Sequence, residues 1–260
     1  MLKNSNLPLP MIVGFLFVAM TACSSPNPVE GHSDPVDHQL FDELLKQYVK
    51  PSGFVDYAGL KGDRQKLKSY LAMLTANPPN DEQWSEEEQL AYWINLYNAF
   101  TLDLVLEHYP LKSIKDIGSS IQIPFVNTPW DIKFIKIGDE EYDLNNIEHG
   151  IIRKQFDEPR IHFAVNCASI SCPNLRAEAY TGERLEQQLE EQTRAFVNDP
   201  TKNRIDEKKL QLSKIFQWYG GDFSDYESIV EFIQPYTAIA ISKNAKKTYL
   251  DYDWGLNEAR

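Results

Sequence analysis

Basic residues are scarce in this chain: 26 Lys and Arg stand against 38 Asp and Glu, a formal charge of −12. Nucleic-acid binding needs clustered Lys and Arg against the phosphates, so a nucleic-acid partner is excluded. The sequence has no glycine-rich phosphate loop, no haem-attachment motif and no dinucleotide fingerprint, so no cofactor is expected. No internal repeat appears, which excludes a solenoid. The longest apolar run near the start, Met11 to Met20, is shorter than the roughly 20 residues a spanning helix needs. Cysteine is rare too, at three residues, and none of them forms the tight pair of a zinc knuckle.

What is present begins with Lys3, the apolar run and then Met20-Thr-Ala-Cys23, small residues beside a cysteine. This pattern resembles a bacterial lipoprotein signal, with residues 1–22 removed and Cys23 left as the acylated first residue. Ser24 follows the cysteine, as in signals that direct lipoproteins to the outer membrane. Expected localisation is therefore the cell envelope, on the periplasmic side of the outer membrane, with lipid on Cys23 as the membrane contact. Residues 23–36 are polar and rich in Ser, Pro and Asn, and read as a flexible tether. Residues 37–260 contain no linker and read as one domain.

Apolar spacing assigns helices from Asp37 to before Pro51 and over roughly Asp63–Thr75. A Ser85/Glu88 capping box opens a longer helix that runs to Pro110 and carries Asn98 in its apolar stripe. Trp130–Leu144 alternates around Gly138-Asp139 and predicts a hairpin. Asp143 caps a short helix through Phe156, and Thr181 caps a helix to Asn198. A strand is expected at Leu210–Ser213, a helix from a Ser224/Glu227 box to Pro235, and a last strand at Tyr249–Trp254. Ile161, Phe163 and Val165 alternate, so Arg160–Asn166 reads as a buried strand running into a loop with Cys167 and Cys172. Together these elements predict a mixed α/β or α+β fold, a sheet flanked by helices with a helical N-terminal part.

The strand end carrying two thiols is where reactive groups would gather. Cys167 is the candidate nucleophile, with Cys172 the alternative. His149 is the candidate base, because a regular strand at about 3.3 Å per residue would put His162 about 16 Å from Cys167. Glu148, beside His149 on an apolar helix, either pairs with a cation or serves proton transfer; Arg153, four residues beyond His149, is its possible partner. A buried Asn98 must be hydrogen-bonded, either to a neighbouring loop's backbone or to a catalytic imidazole. Two further readings of the thiols stay open: a Cys167–Cys172 disulfide in an oxidising compartment, and a zinc site with His149 and His162.

Five segments, Gly53-Phe-Val-Asp-Tyr57, Trp93-Ile-Asn-Leu-Tyr-Asn-Ala99, Ile147-Glu-His-Gly-Ile-Ile-Arg153, Arg160 through Pro173 and Trp218-Tyr-Gly-Gly-Asp-Phe223, carry a family resemblance. The chain resembles the domain of unknown function 547 family, which implies no established reaction. The family also looks intracellular in plants, where a disulfide would not persist. The expected activity is thiol-dependent hydrolysis or acyl transfer, with Cys167, His149, and Glu148 or Asn98 as the machinery, on an unidentified small-molecule or peptide substrate. The competing expectation is a non-catalytic envelope protein.

Overall fold

The computed structural model describes residues 29, 31–118 and 128–259, so the expected signal at 1–22 and Cys23 lie outside the described residues. Four helices open the fold: α1 Gln39–Tyr48, α2 Tyr57–Gly62, α3 Arg64–Ala76 and α4 Glu86–His108. The capping box of α4 is formed as its sequence implies. Ser85 Oγ accepts from Glu88 N–H, and the Glu88 side chain accepts from Ser85 N–H. Its burial goes further than a stripe, because Leu90 through Leu102 are buried without a break. A helix covered on every side is a core element, and α2, α3 and the later chain pack around it. No helix among the described residues is long and apolar enough to cross a membrane.

The class is mixed α+β, as expected, with the described strands in two small sheets. The hairpin falls where it was placed: β1 Ile135–Ile137 pairs antiparallel with β2 Glu140–Tyr142. Gly138 between them takes φ 61°, a conformation glycine adopts without penalty. In the second sheet, β4 Lys209–Leu212 lies between antiparallel β3 Arg204–Ile205 and parallel β5 Lys246–Tyr249. The last strand thus ends near where it was expected to begin, and residues beyond Tyr249 run extended over the cysteine loop.

Four local expectations are corrected. Asn146–Ile152 is a π-helix, continued by α5 Arg153–Gln155. Thr181 makes no side-chain cap; a 3-10 turn, Gly182–Arg184, leads into α7 Leu185–Asn198 instead. After α8 Ile215–Trp218, helix α9 spans Ile229–Ile233 and is capped by Ser228, whose Oγ accepts from Glu231 N–H, and not by Ser224.

The fourth correction matters most. Ile161–Ala164 is a single helical turn, α6, where a strand was expected. Phe163 N–H donates to Arg160 O and Val165 N–H to Ile161 O, closing the turn locally. Alternation over so few residues fits either period: Ile161 and Ala164 enter one core while Phe163 enters another. The first core is built on α1–α4 and the π-helix. The second is aromatic, with Phe163 stacked on Phe196 at 4.8 Å and packed beside Phe216, Phe223 and Phe232. The cysteine loop leaves α6 at the seam between the two.

Candidate active site

Asn98 sets the position of the cysteine loop. Its Nδ2 donates to Ala164 O at 3.0 Å and its Oδ1 accepts from Asn166 N–H at 2.8 Å, so α4 grips the backbone on both sides of Val165. Of the two roles foreseen for Asn98, the backbone role is the one observed. Asn95 does the same for Tyr180, with bonds of 2.7 and 3.0 Å. Asn166 then folds the loop onto itself: its Nδ2 donates to Pro173 O and its Oδ1 accepts from Ala168 N–H. Ala168 sits at φ 56°, a region an L-residue occupies at a cost of order 1–3 kcal/mol, so the surrounding bonds must over-determine it. They do so from the C-terminal segment. Ile170 N–H donates to Gly255 O, Ser171 N–H to Asp253 O, and Asn257 N–H to Ala168 O. The buried Lys202 ammonium donates to Ile170 O from behind.

Within this frame the two cysteines are free thiols in contact, with Sγ atoms 2.7 Å apart. Cys167 N–H donates to Cys172 Sγ at 2.8 Å. Cys167 Sγ also lies 3.3 Å from Ser169 Oγ and 3.1 Å from the Tyr252 hydroxyl. Burial pushes the Cys167 thiol up, but the hydrogen bonds it shares with Cys172, Ser169 and Tyr252 outweigh it and hold the group below its ordinary value. Cys172 is driven the other way, well above a normal thiol, by burial and by the adjacent Cys167. Burial and the neighbouring sulfurs likewise raise the Tyr252 hydroxyl, which keeps its proton and remains a donor.

Two histidines share the cleft with the thiols, in different surroundings. His162, on α6, is buried, stacks on Tyr219 at 3.9 Å, and places Nε2 2.7 Å from Asp222 Oδ2. Asp222 also accepts from Arg153 Nε at 2.5 Å and Nη2 at 2.6 Å. The His162 bond first, and then Arg153, hold the Asp222 carboxyl far below the usual range against the effect of burial. In neutral His162 that anionic acceptor holds the proton on Nε2 and leaves the lone pair on Nδ1, a buried atom without a hydrogen-bond partner among the described residues. His149 is partly exposed and receives Arg153 Nη1 at 3.2 Å on Nδ1. A guanidinium can only donate, so neutral His149 keeps its proton on Nε2.

Arg153 was a possible partner of Glu148, and the structure instead commits its guanidinium to Asp222 and His149. Glu148 is buried, and its Oε1, 3.8 Å from His149 Nδ1, has no hydrogen-bond partner among the described residues. Because residues 161–164 are helical, the strand-length argument that separated His162 from Cys167 does not hold. Neither imidazole reaches the sulfur directly: among the described residues, Cys167 Sγ bonds only Cys172, Ser169 and Tyr252. Nor do any three His, Cys, Asp or Glu side chains among the described residues converge on a point that could hold a metal ion.

Cys167, Cys172, Glu148, His149, Arg153, His162, Tyr219 and Tyr252 border one cleft of about 690 Å³, which Asn98, Ser169 and Asp222 support from behind its lining. Its mouth is aromatic. Trp254 packs against Tyr252 at 4.5 Å, Trp130 at 5.5 Å and Trp218 at 5.9 Å, with the Lys115 ammonium 4.2 Å above the Trp254 ring. A separate hollow of about 610 Å³, lined by His32, Ser33, Thr75 and Asn77 among others, brings no thiol or carboxylate together.

Residues 82–197 match the family of proteins of unknown function DUF547. That span agrees with the resemblance carried by the Trp93–Ala99, Ile147–Arg153 and Arg160–Pro173 motifs. No curated protein and no solved structure matches the chain. The DUF547 span holds α4, the π-helix, α6, the cysteine loop and α7. It therefore supplies both thiols and both histidines, while Tyr219, Asp222 and Tyr252 come from beyond it. Sequence reasoning did not single out those three. Asp222 and Tyr219 lie inside a motif already noted, Trp218–Phe223, whereas Tyr252 was hidden in a segment read as strand.

Proposed function

We propose that this protein is a thiol-dependent acyl transferase or hydrolase of the bacterial cell envelope, tethered by lipid on Cys23 and facing the periplasm. The observation that carries the reading is the Cys167 sulfur. Three hydrogen-bond partners favour its thiolate, at the floor of a cleft shared with two imidazoles and walled by aromatic rings. Cys167 attacks the carbonyl carbon of a bound ester, thioester or amide. The leaving group departs with a proton, and water or an acceptor then resolves the acyl-enzyme. The lone pair on His162 Nδ1, with Asp222 orienting the ring from the other side, favours His162 as the proton carrier. His149, whose Nδ1 is taken by Arg153, presents Nε2–H and suits a hydrogen-bond donor to the carbonyl oxygen.

Incubation of the reduced protein with p-nitrophenyl acetate, followed by peptide mass mapping, tests the proposal. Acetyl is expected on Cys167, with none on that peptide in Cys167→Ser. His162→Ala should slow release of the acyl group more than His149→Ala does. Absence of acylation at Cys167, or acylation confined to Cys172, overturns the assignment. Fatty-acid labelling that persists in Cys23→Ser would overturn the lipid tether.

A further inference from the structure

The cysteine pair has a feature that acyl transfer does not use. A lone nucleophile needs no second thiol, yet Cys172 Sγ is held 2.7 Å from Cys167 Sγ by a loop pinned at both ends. The loop backbone is bonded at Ile170 and Ser171 to the C-terminal segment, and at Asn166 to α4, so the sulfurs face each other without any rearrangement of the chain. The two are also chemically unequal. Cys167 is half-buried at the cleft floor with hydroxyl groups on Ser169 and Tyr252 beside its sulfur. Cys172 is buried, 2 % exposed, and the Cys167 N–H points at its sulfur. That N–H stabilises negative charge as Cys172 gives up its proton. One thiol is arranged to attack an incoming molecule and the other to attack the first.

We propose that Cys167 and Cys172 form a two-electron redox couple that reduces a hydroperoxide entering the cleft and closes a disulfide between them. The Cys167 thiolate attacks the terminal peroxide oxygen. An S–O bond forms, the O–O bond breaks, and the departing alkoxide or hydroxide takes a proton from the hydroxyl groups at Ser169 and Tyr252, which water restores. Cys167 is then a sulfenic acid. Cys172 attacks its sulfur; the S–S bond forms, the S–O bond breaks, and hydroxide leaves with the Cys172 proton as water. The two thiols lose two electrons and the peroxide gains them, yielding an alcohol or water, a second water and a disulfide. A small dithiol returns the pair to its reduced form by exchange. A peroxide fits this sulfur better than a disulfide does. Cys167 Sγ is enclosed by Cys172, Ser169 and Tyr252, and the terminal oxygen of a peroxide, smaller than a disulfide sulfur, reaches it with less displacement of those neighbours. The couple uses the same nucleophile as acyl transfer but does not depend on acyl transfer taking place.

The full chain, reduced and desalted, is treated with hydrogen peroxide or, in a parallel arm, with cystamine. It is quenched with iodoacetamide at intervals and mapped by peptide mass spectrometry. Both thiols should disappear together under peroxide as a linked Cys167–Cys172 peptide, about tenfold faster than free cysteine oxidises at neutral pH, consistent with a larger thiolate fraction. Dithiothreitol should restore them. Cys172→Ser, with Cys172→Ala as the second choice if the serine variant does not fold, should stop at a sulfenic acid on Cys167 that dimedone captures; Cys167→Ser should give neither product. The proposal is overturned if the wild-type pair keeps its thiols while free cysteine is consumed. It is equally overturned if cystamine alone closes the disulfide, or if dimedone labels Cys172 in Cys167→Ser as fast as it labels Cys167 in the converse variant. A sulfenic acid on Cys167 in a protein that accepts no acetyl group would leave the couple standing and remove the acyl-transfer reading.

Discussion

Replacing Asn98 with Ala should reveal how strongly α4 controls the thiol loop. The substitution leaves Ala164 C=O and Asn166 N–H buried without partners. Each such group costs about 1–3 kcal/mol, so the two together should destabilise the fold by about 4 kcal/mol. With a urea dependence of about 3 kcal/mol per molar, the unfolding midpoint should fall by about 1.3 M. Asn95→Ala is the matched control, because Asn95 holds Tyr180 through the same pair of bonds. The two variants should lose similar stability and differ in the thiol. When Asn166 is released, Cys167 drifts from Ser169 and Tyr252 and its pKa moves back toward the ordinary thiol value. One unit of that return slows alkylation at neutral pH about tenfold. Urea denaturation gives the first quantity, and iodoacetamide kinetics under native conditions give the second. A midpoint shift below about 0.3 M for Asn98→Ala, less than about 1 kcal/mol on the same slope, would refute the reasoning. So would equal slowing of alkylation in both variants.

Burial lowers His38 from 6.5 to about 4, against the opposing charge of Asp37, and its Nδ1 is bonded to the Tyr70 hydroxyl. The unfolded chain therefore takes up the proton first, and about 3 kcal/mol of stability present above pH 6.5 should be lost as the pH falls toward 4. Urea midpoints at the two ends of that window should draw together in His38→Gln. Asp222, whose carboxyl is depressed by His162 and Arg153, contributes stability that is full above the unfolded carboxylate pKa of about 4 and disappears in stronger acid. Asp222→Asn should flatten the acid limb of the stability profile; an unchanged limb would show that the network is not formed in solution. Tyr252→Phe removes one donor from Cys167 and should raise the pH midpoint of alkylation by about half a unit to one unit, a charge-assisted bond of roughly 1 kcal/mol. A midpoint that stays put would assign the depressed thiol to Ser169 and Cys172 alone.

Much of the helical part was legible because its signals are local. Ser85 and Glu88 are three residues apart and cap each other whatever the rest of the chain does. Gly138 announces its own turn. The cysteine loop could be marked as a candidate site from composition, and the need of Asn98 for a partner followed from its place in an apolar stripe. Residues 161–164 were illegible for the opposite reason: one turn holds too few residues to separate a period of two from one of 3.6, and it divides its side chains between two cores. That misreading then propagated, since the distance between His162 and Cys167 had been reckoned along a strand. The π-helix leaves no mark in residue spacing. Asp222 and Tyr252 reach the site from 60 residues beyond His162 and 85 beyond Cys167, and such pairings are invisible without the fold.

The path of the chain after Tyr249 bears on when the thiol becomes reactive. As the polypeptide emerges, Cys167 and Cys172 appear well before the residues that hold their loop at Ala168, Ile170 and Ser171, and before the hydroxyl of Tyr252. Until Tyr252 through Asn257 arrive, the loop is held only from α4, from its own Asn166 and from Lys202, and Cys167 lacks the Tyr252 hydroxyl. The nascent protein thus carries two cysteines in an incomplete setting, and the surroundings of their sulfurs are finished only when Tyr252 through Asn257 close over the loop.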